Sequence, residues 1–136
     1  MRLIFWIIIH CSAVMPSQTS SVEQINEWHL QRGWNGVGYH YVIRRDGDIE
    51  KGRPLEVVGA HCLNYNLHSI GVCYEGGLDA QGRPADTRTA SQKKAMRQLL
   101  KSLRKSYPKA KIAGHNAFSN KACPCFDVSE YDDLQP

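Results

Sequence analysis

Leu3-Ile4-Phe5-Trp6-Ile7-Ile8-Ile9-His10-Cys11-Ser12 is the stretch on which the fold turns. Its apolar run covers residues 3–9, follows Arg2 and closes on an imidazole and a thiol. A run of that length stands at the lower bound for the apolar part of a signal peptide, and far below the roughly 20 residues of a membrane-spanning helix. Its β-branched and aromatic residues suit a pleated surface buried on both sides, so the reading is a central strand over residues 3–10. Synthesis in the cytoplasm without a signal peptide is the matching expectation.

Outward from this strand, a polar loop around Pro16 leads to a capping box, either Ser20 with Glu23 or Ser21 with Gln24. Val22, Ile25, Trp28 and His29 then recur at helical spacing until Gly33. Residues 39–44 alternate as a strand, Asp46-Gly47 supplies hairpin turn chemistry, and residues 49–53 return as the partner. Residues 69–74 read as a further buried strand. Thr89 with Gln92 can cap a helix whose apolar stripe is Ala95, Met96, Leu99, Leu100 and Leu103, with Pro108 marking its end. Residues 111–114 form a short strand that delivers His115. Pro124 forbids a regular central strand after it, and a short helix near residues 128–133 closes the chain. This order predicts an α/β domain over residues 1–136, a mixed central sheet flanked by helices.

Composition agrees with one folded unit. The chain has 136 residues, 42% hydrophobic and 22% charged, without repeats or low-complexity tracts. Its net charge of +4 is concentrated in Lys93, Lys94, Arg97, Lys101, Arg104, Lys105, Lys109 and Lys111. Such a run reads as the solvated face of a helix or as a surface for an anionic partner. No aromatic interleaving or motif points to nucleic acid. Five cysteines at irregular spacing do not form the framework of a small disulfide-rich domain, so reduced thiols are expected.

His10, His115 and Cys123 are nitrogen and sulfur donors suited to Zn²⁺, and three protein ligands leave the fourth tetrahedral position open. Spacing alone does not separate these from buried structural residues. Several motifs, however, occur together in one order: Ile9-His10-Cys11-Ser12-Ala13, Val37-Gly38-Tyr39-His40-Tyr41, Gly59-Ala60-His61, Asn66-Leu67-His68-Ser69-Ile70-Gly71-Val72, and His115 through Lys121-Ala122-Cys123-Pro124. With them the chain, from about residue 3 to residue 131, resembles the type-2 N-acetylmuramoyl-L-alanine amidases, and within them the small phage lysozyme-amidases related to animal peptidoglycan recognition proteins.

The resemblance implies one zinc ion on His10, His115 and Cys123, with Tyr39 and Lys121 at the two catalytic positions and His61 near the substrate. It implies hydrolysis of the amide between N-acetylmuramic acid and L-alanine in peptidoglycan, as in an endolysin acting on the cell wall after release or delivery. Members that only recognise peptidoglycan typically lack the cysteine ligand, which this chain keeps; a non-catalytic binding module is the alternative. Cys125 departs from the family, which more often has a small residue there, so two thiols compete for the metal. Phage relatives also bind a phage RNA polymerase, which the resemblance adds as a further partner. The expected state is a monomer. Lys121 is the candidate donor to the developing oxyanion, and Tyr39 is assigned positioning and proton transfer. His40 should face away from Tyr39, and Cys11 away from His10, because strand side chains alternate; Trp34 is expected to cap the core.

Overall fold

The computed structural model describes residues 2–136. Strand β1 (Trp6–Cys11) is followed by helix α1 (Val22–Gln31), the hairpin β2 (Tyr41–Ile43) and β3 (Ile49–Lys51), strand β4 (Ser69–Tyr74), helix α2 (Ala90–Ser106) and strand β5 (Lys111–Gly114). Short 3₁₀ helices cover Asn66–His68, His115–Ala117 and Val128–Leu134. The five strands lie in the order β3-β2-β4-β1-β5, with β2, β4, β1 and β5 parallel and β3 antiparallel. The expected mixed α/β sheet is therefore what forms.

β1 occupies the place its composition demands. It pairs with β4 over its whole length, from Trp6 opposite Ser69 to Cys11 opposite Tyr74, and with β5 over Trp6 to Ile9. Ile7, Ile8 and Ile9 have no solvent exposure, each burial contributing about 1.5–3 kcal/mol of transfer free energy. Alternation sends Ile7, Ile9 and Cys11 into the larger core under α2, together with Ile70, Val72 and Tyr74 of β4. A smaller cluster on the opposite face joins Ile25 of α1 to Val42 and Cys73. His10 projects to that second side.

The helices begin where the capping chemistry places them. Ser21 and Gln24 form the reciprocal box of α1, and Thr89 and Gln92 that of α2. Ala95, Met96, Leu99, Leu100 and Leu103 are buried as the stripe requires. Buried Gln92 also donates its side-chain amide to Ile43 O (3.1 Å) and Glu75 O (2.9 Å), joining the start of α2 to the ends of β2 and β4. Gly33, at φ +83°, lets the chain turn away after α1 in a conformation that costs other residues more.

Some strand limits differ from those expected. β1 starts at Trp6 rather than residue 3. Residues 39 and 40 precede β2, although Gly52 N–H donates to His40 O and Arg53 N–H to Tyr39 O, both at 2.9 Å. The ladder thus continues past the regular strand. Among the described residues no helix is long and apolar enough to cross a membrane, and all five cysteines are free.

The C-terminal segment is held by a polar knot. Arg88 is buried, pairs with Asp86 (2.9 Å) and Glu130 (2.6 Å), donates to Tyr131 Oη (2.9 Å) and lies 3.4 Å from the Phe126 ring centroid. Gln135 adds an amide that bonds both N and O of Ile112 (2.8 and 2.7 Å), covering the free edge of β5. Both carboxylates beside Arg88 are partly exposed and can rehydrate when the cation is removed, so the effect falls below that of breaking a fully buried pair. Arg88→Ala is expected to lower stability by about 2–3 kcal/mol, read as a shift of the urea midpoint.

Candidate metal centre

His10, His115 and Cys123 converge although 105 and 113 residues separate them from His10 in sequence. Each offers one donor atom, and these atoms lie within 4.8 Å of one another. β1 supplies His10 from its next-to-last position, β5 leads directly into the 3₁₀ turn that begins with His115, and the following loop brings Cys123. The Cys123 Sγ to His10 Nδ1 separation is 3.9 Å, against about 3.5 Å between two ligand atoms on tetrahedral zinc at ordinary bond lengths. The imidazole rings of His10 and His115 are 4.6 Å apart. Two imidazoles and a thiol form a donor set that fits Zn²⁺.

The loop after His115 sorts its two thiols to different sides. Tyr74 Oη donates to Pro124 O (2.6 Å), and Cys125 N–H donates to Ala122 O (2.7 Å). Cys125 takes φ +68°, and the Cys123–Pro124 peptide is cis. Cys123 Sγ faces His10 and accepts the Cys11 N–H at 3.2 Å. Cys125 Sγ instead lies 3.7 Å from Cys11 Sγ, on the far side of β1. The geometry gathers Cys123, not Cys125, with the histidines.

His61 packs against His10 in the wall of the same cleft. Its Nδ1 is 2.8 Å from His10 Nε2 and its Nε2 is 3.1 Å from Ser69 Oγ, with the residue only 9% exposed. Both ring nitrogens are thus engaged within the protein, although the residue is also one of the cleft's lining residues. A lone pair on His10 Nδ1 toward Cys123 leaves the proton on Nε2. Nε2–H then donates to His61 Nδ1, and His61 Nε2–H donates to Ser69 Oγ. This chain fixes the tautomer and ring plane of His10, the task that outer partners of metal-binding histidines perform. Space for it comes from Gly71, where a Cβ would stand 2.7 Å from two atoms of the His61 ring.

Electrostatics favour the forms that bind metal. Burial, then the neighbouring His61, His115 and Lys121, hold the His10 imidazole well below its ordinary pKa, so it is neutral. Burial pushes His61 down to about 3, helped by His40 and His115, and burial and Lys121 lower His115. Burial raises the Tyr39 phenol well above its usual range. The phenol therefore stays protonated near neutral pH. The Tyr39 ring is 5.1 Å from that of His10.

These residues open into a cleft of about 690 Å³, whose walls include Tyr39, Lys121, Trp28, His29, Arg32 and Trp34. Trp34 is 39% exposed there and does not cap the core. Sequence reasoning missed Arg32 and the two tryptophans as cleft walls; their grouping around the end of α1 was the available signal. His40 lies outside the cleft, as expected, but as a structural link: Gly71 N–H donates to its Nδ1 (3.0 Å), and its Nε2 is 2.8 Å from Val57 O. A groove of similar volume, about 710 Å³, lies beyond β5 and contains none of the three donors.

Two outcomes are expected. His61→Ala should weaken zinc binding by roughly 10- to 100-fold, measured by competition with a chromophoric chelator. Burial also lowers His40 to about 4, whereas an unfolded histidine takes up its proton near 6.5. The neutral ring therefore contributes stability that is complete above pH 6.5 and is lost as pH falls through about 4. Urea midpoints should accordingly drop between pH 7.5 and 4.5, and less so in His40→Gln.

Comparison with known proteins places this arrangement among relatives. The family profile described as N-acetylmuramoyl-L-alanine amidase matches residues 2–126. The chain is 45% identical over 123 residues to an endolysin of Enterobacteria phage K11, covering 90% of this chain and 82% of that protein. Among solved structures it is similar to the endolysin amidase LysCS of Clostridium intestinale, with a TM-score of 0.85, 29% identity, and 98% and 84% coverage of the two chains. It is also similar to a Drosophila PGRP-LB variant in complex with tracheal cytotoxin, with a TM-score of 0.76, 28% identity, and 91% and 76% coverage.

Proposed function

The chain belongs to the N-acetylmuramoyl-L-alanine amidase family, and from that membership we propose that it is a peptidoglycan amidase. Residues 1–136 act as one catalytic unit, cutting the amide between N-acetylmuramic acid and L-alanine and thereby lysing the cell wall. One zinc ion is held by His10, His115 and Cys123. The observation that carries this reading is the convergence of the three donors in a cleft shared with Tyr39 and Lys121. The endolysin names of the relatives support the substrate.

When bound, zinc supplies Lewis-acid polarisation and activation of water near neutral pH. The protein's own groups do the rest. Cys123 meets the metal as a thiolate, and the Cys11 N–H at 3.2 Å helps to hold that negative sulfur. His61 and Ser69 keep His10 in its plane. Lys121, in the wall of the same cleft, is the donor we assign to the carbonyl oxygen of the scissile amide, where negative charge develops. Such a donor is worth about 3–4 kcal/mol of barrier. Tyr39, kept as a phenol by burial, is the residue we assign to orienting the attacking water or the leaving amine.

Peptidoglycan digested by the zinc-loaded protein should release chains with new amino termini on L-alanine, identified by mass spectrometry, and chelation should stop the release. Cys123→Ala should abolish it. Lys121→Ala should lower kcat by roughly 10²- to 10³-fold while retaining zinc. Release that persists after complete chelation overturns the zinc mechanism. Binding without any release replaces the enzyme by a recognition module.

A further inference from the structure

We propose that Cys11 and Cys125 are a site of reversible covalent modification, closing to a disulfide that fastens the loop carrying Cys123 to β1. The pair is separate from the three metal donors and goes beyond the amidase reading. Both thiols are free, and their sulfurs stand 3.7 Å apart across 114 residues of sequence. A disulfide bond measures about 2.0 Å, so closure asks each sulfur to move by about 0.8 Å. Side-chain rotation supplies a movement of that size.

The surroundings hold the two sulfurs face to face. Cys11 is the last residue of β1, opposite Tyr74 of β4 in the ladder. Tyr74 Oη in turn donates to Pro124 O at 2.6 Å, which sets the residue before Cys125 beside Cys11. Gly77 backs Cys11 on another side, where a Cβ would stand 2.5 Å from its Sγ. The other thiols are placed differently. Cys123 faces His10, Cys73 belongs to the cluster on the opposite face of the sheet, and Cys62 lines the cleft.

Access is unequal, which orders the steps. Cys11 is buried, whereas Cys125 is half-buried and lines the groove of about 710 Å³ beyond β5. The oxidant is a small disulfide such as oxidised glutathione. The Cys125 sulfur, its proton passing to solvent, attacks one sulfur of that disulfide and releases one small thiol. Cys11 then loses its proton, attacks the Cys125 sulfur and releases the second. Two S–H bonds are replaced by one S–S bond, and the small disulfide takes up two electrons and two protons. Burial and the neighbouring Cys11 push the Cys125 thiol up to about 12, which makes the exchange slow at neutral pH without fixing its end point.

The product ties two neighbours of metal donors together, since Cys11 adjoins His10 and Cys125 lies two residues beyond Cys123. A cross-link of this span also restricts the unfolded chain. Oxidation is therefore expected to stabilise the fold and, where zinc is held by those donors, to slow its release.

The test incubates the whole protein for a day with oxidised glutathione, then maps peptides after alkylation without reduction. A linked Cys11–Cys125 peptide, lighter by two hydrogens than its parts, is expected. The urea midpoint should rise by roughly 1–2 M and return on treatment with a phosphine reductant. Cys125→Ser should show no oxidation-dependent shift while matching the reduced wild type. Cys11 and Cys125 still alkylated after incubation, a link made to Cys123 instead, or a linked protein whose midpoint is unchanged or lower, each overturns the inference. These readouts need neither substrate nor metal. If the protein cuts nothing, the amidase reading fails and the linked peptide with its midpoint shift still upholds the pair; if no link forms, the amidase reading stands and the pair does not.

Discussion

The structure depends on the parallel pairing of β1 with strands on both of its sides. Hydrogen bonds to β4 and β5 fix its register, and burial on both faces makes that register costly to shift. A slip by one residue would exchange the surroundings of His10 and Cys11. In the observed register Cys11 packs into the core under α2 and His10 emerges beside Tyr39, His61 and His115. The first donor of the metal centre is thus placed by the same constraint that builds the core.

The other two donors are carried by structure that leans on this frame. His115 follows β5 without an intervening loop, so its position is that of a strand end. Cys123 sits on irregular chain, and three fixed points compensate: Tyr74 holds Pro124 O, the turn bonds Cys125 N–H to Ala122 O, and Arg88 gathers Phe126, Glu130 and Tyr131. Each anchor begins in the large core or at its rim. The site is therefore rigid for the reason the core is rigid, although its ligands come from opposite ends of the chain.

The chemistry of the cleft is consistent across its parts. Its imidazoles are neutral because they are buried and lie near cations. Neutral imidazole is the form a metal requires. No carboxylate competes for Lys121 or Arg32 among the lining residues, which leaves both cations to charge on a ligand. The three clustered donors and two cations thereby share one cleft whose lining contains no carboxylate.

Much of this was legible in sequence where local rules apply. The run into Ile9 and His10 indicated a central strand, Thr89 with Gln92 marked the start of α2, and Asp46-Gly47 marked the hairpin, because burial period, capping and turn chemistry act over a few residues. The family motifs nominated His10, His115, Cys123, Tyr39 and Lys121, but strand alternation could not say what lay behind them. His61, which the resemblance put near the substrate, lines the cleft and also links His10 to Ser69, in room left by Gly71 from a different strand. Trp34 was expected over the core and instead supports Arg32 in the cleft. The choice between Cys123 and Cys125 was also tertiary, since both thiols are two residues apart on a loop without a regular period. Sequence by itself determined the strands, helices and chemical types available. Only the tertiary structure decided which nitrogen and sulfur atoms face one another, because that depends on contacts between segments a hundred residues apart.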